Sequence, residues 1–306
     1  RHGKERQEVQ FYNDFPLKGN SLYDSEVSVK KGDKVKKGQL LADSTFTRDG
    51  TLALGTNLRT AYMPFRGFNF EDGVVVSEAA ATKLTSLHMY NKSVGQDSET
   101  VISRKKFLAD FPSVFTKAQA EGVGDDGVVR VGQRVQEGDP LVMVLRKPNP
   151  SQLQKQLRTF RRGQPDRYKD KSMVWDKPYA GVVTDVVRKG KTVTVYIKTE
   201  EPAQVGDKIV GRHGNKGVIT RILPASDMPY QENAKGERVP MDLLLNPLGV
   251  PGRINLGQVL ETAVGKVAEK RGKPYHVKNF EPGMNYLEEA QKELASAGLE
   301  DKEELI

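Results

Sequence analysis

The chain has 306 residues, 37% hydrophobic and only 7% aromatic, with a formal net charge of +8. That length supports a sizeable core and two or three domains, and no stretch approaches the roughly 20 consecutive apolar residues of a membrane-spanning helix. There is no cysteine, and the four histidines (His2, His88, His213, His276) include no two at metal-ligand spacing, so disulfides and cysteine-ligated zinc are excluded and a reducing cytoplasm fits.

Short β-rich runs dominate the chain. "EVSV", "GVVVSE", "DGVVRV", "PLVMVL", "GVVTDVV" and "TVTVYIKT" are bounded by Gly, Pro, Asp and Lys, as strands of small barrels are. One internal echo stands out: "VSVKKGDKVKKGQLL" and "VVRVGQRVQEGDPLV" share V-x-x-G-x-x-V-x-x-G-x-x-L, with Val29/Val129, Gly32/Gly132, Val35/Val135, Gly38/Gly138 and Leu41/Leu141 each 100 apart. "PAQVGDKIVG" is a weaker third copy. Two clear copies are too few for a solenoid and speak to fold rather than chemistry. Helices are expected at 77–87 with Ser77 as N-cap, at 255–272 on the apolar spacing of Leu256, Val259, Leu260, Ala263, Val264 and Val267, and at 285–298, ended by Gly298.

Charge is unevenly spread. Arg146 to Arg221 holds 18 Lys or Arg against 7 Asp or Glu, whereas Glu281 to Ile306 holds 8 acidic residues against 2 lysines. A polyanion partner suits the basic block, and a solvated basic face accounts for it equally well. Residues 147–172 are polar, basic and without apolar periodicity, which predicts an exposed linker or a partly helical insertion.

Three stretches carry candidate chemistry. In "GDKIVGRHGNKGVIT" (206–220) glycines permit tight turns, and Lys208 and Lys216 supply point charges suited to phosphate from either side of a strand and loop. It is not a P-loop, because a glycine follows Lys216 where Ser or Thr is required; a plain hairpin loop with solvated lysines is the competing reading. In "AYMPFRGFNFEDGVVVSE" (61–78) Glu71 and Asp72 are adjacent carboxylates at a strand entry. Both reach one metal only if the backbone bends, which Gly73 would permit, and a plain polar strand entry is the stronger competing reading of these residues alone. In "MDLLLNPLGVPGRINLGQVLE" (241–261) Arg253 stands at a loop-to-helix junction, a place suited to phosphate, with an ordinary strand–loop–helix as the competing reading.

Taken together and in order, these stretches resemble consecutive signatures of the β subunit of cellular-type multisubunit DNA-dependent RNA polymerases, over roughly residues 20 to 270. The resemblance implies a mainly β fold with α: a double-psi β-barrel, a barrel-sandwich-like β region and peripheral helices. It suggests four segments: 1–146, β-rich with barrel-sandwich-like hairpins and the "FED" motif; 147–174, a basic linker; 175–272, the barrel with its following helix; and 273–306, an acidic helical tail.

The resemblance further implies that Lys208 and Lys216 approach the RNA 3′ end and the incoming nucleotide's phosphates. It implies that Arg253 contacts the β and γ phosphates; Gly252 replaces the family's usual serine beside it. Glu71 and Asp72 would lie near the second, nucleotide-borne Mg²⁺, in part through water, and "MPF" replaces the commoner "MPW". The principal Mg²⁺ belongs to a β′-like partner carrying an Asp triad. No D-x-D-x-D string occurs here, so the chain is expected to be inactive alone. Other expected partners are further β-subunit segments, template DNA, the RNA transcript and nucleoside triphosphates, with α-like subunits or a promoter-specificity factor left open and no membrane. The expected location is the cytoplasm of a bacterial or phage-infected cell, with a virion as an alternative. The start at Arg1 and the short length suggest an excised segment or one piece of a naturally split, phage-type β. A non-catalytic nucleic-acid-binding barrel is the rival reading, and a stand-alone nucleotide hydrolase a weaker one. His213 receives no chemistry; packing or holding the loop is its expected part.

Overall fold

A computed structural model describes residues 8–147, 168–233, 235–278, 280–300 and 305. The strands that position the site and its surroundings are, in chain order, β1 (Ser25–Val27), β2 (Ala42–Ser44), β3 (Thr60–Tyr62), β4 (Gly73–Ser77), β5 (Ser86–Gly95), β6 (Arg134–Val135), β7 (Gly181–Lys189), β8 (Thr192–Glu201), β9 (Lys208–Val210), β10 (Lys216–Leu223) and β11 (Leu243–Leu245). The helices are α1 (Glu78–Lys83), α2 (Arg104–Asp110), α3 (Lys117–Glu121), α4 (Gly257–Arg271) and α5 (Tyr286–Ser296). The protein is mainly β with a minority of helix.

The chain divides into two compact units that interleave in sequence. One joins Arg1–Leu54 to Ser86–Glu201, the other joins Gly55–Thr85 to Pro202–Ile306. This differs from the contiguous segments expected from sequence. Residues 60–77, assigned above to the N-terminal region, supply two strands to the sheet that holds the Gly-rich loop. Residues 181–201, assigned above to the barrel, build the sheet of the other unit.

In the first unit the sheet order is β6-β7-β8-β5, antiparallel throughout. Strand β8 alternates cleanly, burying Val193, Val195, Ile197 and Thr199. That is the period of two expected for a strand with one face on a core. Val193, Val195 and Ile197 meet Val128, Val129, Val135, Leu141 and Trp175. The Trp175 indole N–H donates to the Tyr179 carbonyl at 2.7 Å, so the large ring is buried without an orphaned donor. A second core gathers around Phe107 of α2 and Ala120 of α3, two helices that apolar spacing in the sequence did not announce. Of the expected 147–174 linker, residues 148–167 lie outside the described residues. Beyond them the chain forms two short strands: Lys169–Asp170 pairs with Val144–Arg146, and Met173–Val174 with Pro140–Val142.

The second unit is a five-stranded, half-barrel sheet of order β9-β10-β4-β11-β3. The β10–β4 and β11–β3 pairs are parallel, and the β9–β10 and β4–β11 pairs antiparallel. Central strand β4 is buried on both faces, which is why it reads Val-Val-Val rather than alternating. Val74 and Val76 pack with Ile219, Ala80 and Ala81 on one side, and Val75 with Leu244, Met228 and Met241 on the other. Helix α1 follows directly, its Ser77 hydroxyl accepting from the Ala80 amide at 3.1 Å. It ends four residues before the predicted limit, and Ser86–Leu87 already belong to β5.

Helix α4 ends at Gly272 in the left-handed region (φ 65). Its basic end is answered by the acidic tail: Arg271 pairs with Glu293 at 2.7 Å, and Lys270 caps the Ala297 carbonyl at 2.6 Å. The Asn285 side chain caps α5.

Candidate active-centre surface

The "FED" carboxylates sit on a tightly folded turn. Asn69, almost fully buried, accepts from the Phe65 amide at 2.8 Å and donates to the Met63 carbonyl at 2.7 Å, pinning the loop from inside. The bend the two carboxylates require is at Glu71 itself, which adopts a left-handed φ of 52°. Gly73 is needed for another reason: a Cβ there would lie 2.9 Å from the Phe68 carbonyl oxygen and 3.1 Å from Thr220 Cγ2. The Thr220 hydroxyl donates to that same Phe68 carbonyl at 2.6 Å, tying the turn to β10.

Strand pairing settles the relation of the two lysines. Lys208 lies opposite Val218 and Lys216 opposite Val210, so all four side chains share one face of the β9–β10 ribbon. Lys208 and Lys216 are diagonal neighbours, their backbones about 7–8 Å apart. That face is exposed, whereas Ile219 on the other face is fully buried. The alternation Lys-Ile-Val and Lys-Gly-Val therefore puts charge outward and anchors the ribbon inward. Gly217 lets β10 approach β4 closely, since a Cβ would lie 2.7 Å from the Asp72 carbonyl oxygen and 2.5 Å from Val74 Cγ2. The Val218 amide donates to that Asp72 carbonyl at 2.9 Å. The lysine strand and the carboxylate turn are thus one hydrogen-bonded piece.

Arg253 reaches the same place from the third stretch. Two consecutive 3₁₀ turns, Pro247–Gly249 and Pro251–Arg253, followed by Ile254 at φ 53°, carry it to the Glu71–Asp72 turn before α4 begins. Its guanidinium grips the Asp72 carboxylate with both forks, Nη1 to Oδ1 at 2.5 Å and Nη2 to Oδ2 at 3.0 Å. Bidentate pairing of this kind is the strong form of a charged hydrogen bond. Arg253, with Lys216 adding to it, holds the Asp72 carboxyl below the usual aspartate range, and Asp72 in turn pushes the guanidinium up. Both side chains remain about half exposed. Four of the five residues singled out from sequence therefore converge by side-chain contact or register. Glu71 adjoins them through its negative charge on Arg253.

A clamp on the Gly-rich loop had no announcement in the sequence. Arg212 pairs with Glu261 of α4, and its other fork donates to Asn57 at 2.5 Å. His213 Nε2 lies 3.1 Å from the second oxygen of Glu261, and Asn255 donates to the His213 carbonyl at 2.9 Å. The imidazole rests on Gly257, where a Cβ would lie 2.5 Å from Nδ1. A glutamate 48 residues from its histidine has no local signal, so only the fold could reveal this clamp.

A family model described as RNA polymerase Rpb2, domain 6 matches residues 7–306. The chain belongs to that family. Among curated proteins it is similar to the DNA-directed RNA polymerase subunit beta of Borreliella burgdorferi (strain ZS7), 34% identical over 296 residues, covering 91% of this chain and 25% of that protein. The subunit beta of Deinococcus radiodurans is 35% identical over 292 residues, covering 90% and 25%. That of Rubrobacter xylanophilus is 37% identical over 259 residues, covering 79% and 22%. This Rpb2 domain 6 chain thus spans about a quarter of the length of the relatives it matches. All three resembling stretches, with Glu71, Asp72, Lys208, Lys216 and Arg253, fall inside the matched range. No helix among the described residues is long and apolar enough to cross a membrane.

Proposed function

We propose that the chain forms one wall of the active centre of a DNA-dependent RNA polymerase, holding the RNA 3′ end and the phosphates of the incoming nucleoside triphosphate during nucleotidyl transfer. The observation that carries this is the convergence of three distant stretches. The Asp72–Arg253 pair stands on the turn whose backbone is bonded to the lysine-bearing strand. Phosphoryl-type displacement needs positioned cations more than covalent chemistry, because charge spreads over the phosphate oxygens as the bond to the leaving group breaks. Lys208 and Lys216, outward on one face, suit the growing end and the triphosphate. Arg253 suits the leaving pyrophosphate.

In its paired form Arg253 is neutralised by Asp72, so engagement of triphosphate exchanges one anion for another on the same fork. The Asp72 pairing keeps the guanidinium oriented before the nucleotide arrives, which lowers the ordering cost of binding. Mg²⁺ supplies charge neutralisation and orientation of the triphosphate. Glu71 and Asp72 are hard oxygen donors of the type it takes. Each Asp72 oxygen already accepts one bond from Arg253, so Glu71 is the less committed of the two carboxylates. The principal metal and its Asp triad belong to a β′-like partner; template DNA, the RNA transcript and further β-subunit segments are the other partners, with α-like subunits or a promoter-specificity factor left open, in a cytoplasmic multisubunit enzyme.

The test is Lys208→Ala and Lys216→Ala, each in the assembled enzyme. Nucleotide addition should fall by at least about 100-fold, the loss typical of removing one preorganised charge contact, with subunit assembly intact. Normal elongation by either variant would favour the non-catalytic nucleic-acid-binding reading.

A further inference from the structure

The internal echo separates what the fold needs from what it does not. In the first copy the same four-residue turn occurs twice in succession, Lys30-Lys31-Gly32-Asp33 and Lys36-Lys37-Gly38-Gln39. Each has its third residue at positive φ (99° and 83°) and is closed by a bond of 3.1 Å from the fourth amide to the first carbonyl. In each, the fourth side chain also caps the first amide, Asp33 at 2.8 Å and Gln39 at 3.1 Å. The second copy repeats the backbone: Gly132 and Gly138 lie at φ 84° and 87°, with closing bonds of 3.1 and 2.9 Å. The third copy repeats it again at Gly206, φ 98°.

The corners differ completely. They read Lys-Lys and Lys-Lys in the first copy, Arg-Val and Gln-Glu in the second, and Gln-Val in the third. The turn therefore forms without lysine: all five keep glycine at positive φ in the third position, and four of the five add the side-chain cap, Arg130–Gln133 being the exception. Two exposed lysine pairs recur at one geometric position only between residues 28 and 41. That excursion is closed at its base by the Ser28 amide donating to the Leu41 carbonyl at 2.9 Å. A fifth lysine, Lys34, lies between the pairs. The only acid in the segment, Asp33, is committed to its cap. None of these lysines forms an ion pair among the described residues.

We propose that this double turn is a contact for the phosphodiester backbone of a nucleic acid, distinct from the Lys208–Lys216 face. Repeated ammonium groups on short rigid turns, without arginine forks or aromatic rings, suit a ligand whose charge repeats and whose bases are not read. An acidic polypeptide is the competing class of partner, and the experiment discriminates the two.

The test is salt-dependent binding of a labelled DNA duplex and a labelled RNA single strand to the full chain, without partner subunits or nucleotide. Failure here therefore leaves the catalytic reading standing, and success does not depend on it. The variant replaces Lys30, Lys31, Lys36 and Lys37 by Gln. A control replaces four other exposed lysines, Lys105, Lys117, Lys189 and Lys191, to match the net charge. The slope of log affinity against log salt should flatten by about 3–4 on duplex and about 3 on the single strand in the variant. The control should change it by less than about 1. Lys31→Gln with Lys37→Gln alone should give about half the effect, and provides the reading should the fourfold variant misfold. Equal slopes for variant and control would overturn the proposal. So would polyglutamate displacing the duplex from the unmodified chain as well as unlabelled duplex does.

Discussion

Gly217 sets how closely β10 approaches β4 beneath the proposed active-centre surface, and Gly217→Ala probes it. The added Cβ would lie 2.5 Å from Val74 Cγ2 and 2.7 Å from the Asp72 carbonyl oxygen. Neither neighbour can yield easily. Val74 is buried in a core with Val76, Ala80, Ala81 and Ile219, and the Asp72 oxygen is main chain. Overpacking of this kind costs about 1–3 kcal/mol, and stretching the Val218–Asp72 hydrogen bond about 1 more. Restricting the unfolded chain by replacing glycine returns about 0.4–1 kcal/mol. The net expectation is a loss of roughly 1–3 kcal/mol.

Hydrogen exchange measures it locally: protection of the Val218 and Ile219 amides should fall by about 10- to 100-fold. In the assembled enzyme, nucleotide addition should fall with it, because Lys216 and Asp72 move apart. Gly211→Ala is the control. Its Cβ would come even closer to a neighbour, 2.2 Å, but that neighbour is the Oδ1 of the Asn215 side chain, buried without a hydrogen-bond partner. Swinging it out costs little, so the change should stay within about 0.5 kcal/mol. Unchanged protection in Gly217→Ala, or a larger loss in Gly211→Ala, would refute the claim that the β10–β4 spacing leaves no room.

Three further outcomes are expected. Arg253 holds the Asp72 carboxyl below the usual aspartate range. The pair's contribution is therefore complete at neutral pH and is lost only as pH falls through that lowered value. Carboxyl NMR should show Asp72 ionised where free aspartate is half protonated, and Arg253→Gln should raise its midpoint toward the ordinary one; an unmoved midpoint would contradict the pairing. Arg253→Ala should chiefly raise the nucleotide concentration needed for half-maximal addition, and a change in maximal rate alone would count against contact with the triphosphate. Tyr90, desolvated and donating to Glu201 at 2.9 Å, is pushed up to about 12. It holds its proton in the folded state after the unfolded chain has lost it, so stability declines as pH rises from about 10 to about 12. Tyr90→Phe should lessen that decline, as followed by tyrosinate absorbance and alkaline unfolding.

Much was legible in the one-dimensional chain wherever physics is local. Ser77 before an alanine run, Gly272 after a run of periodic apolar residues, and glycine at the third position of repeated turns each specify their structure through backbone sterics and short-range hydrogen bonds. The helices at 104–110 and 117–121 escaped because each is too short to display a period, and they are held instead by Phe107 and Ala120 in a shared core. The segment after residue 167 escaped because its strands are two residues long and exist only through pairing with Val144–Arg146 and Pro140–Val142.

The sequence alone also determined the chemical inventory of the surface: two lysines among glycines, two adjacent carboxylates, one arginine before a helix. Only the tertiary structure decided that Asp72 and Arg253, 181 residues apart, share two hydrogen bonds. It alone decided that Lys208 and Lys216 face the same way, that His213 leans on Glu261, and that residues 60–77 join the second unit rather than the first. Each of these is a matter of register and of parallel pairing between distant strands. No local pattern encodes which strand will lie beside which. That choice is made when Val74, Val75 and Val76 find cover on both faces of the sheet.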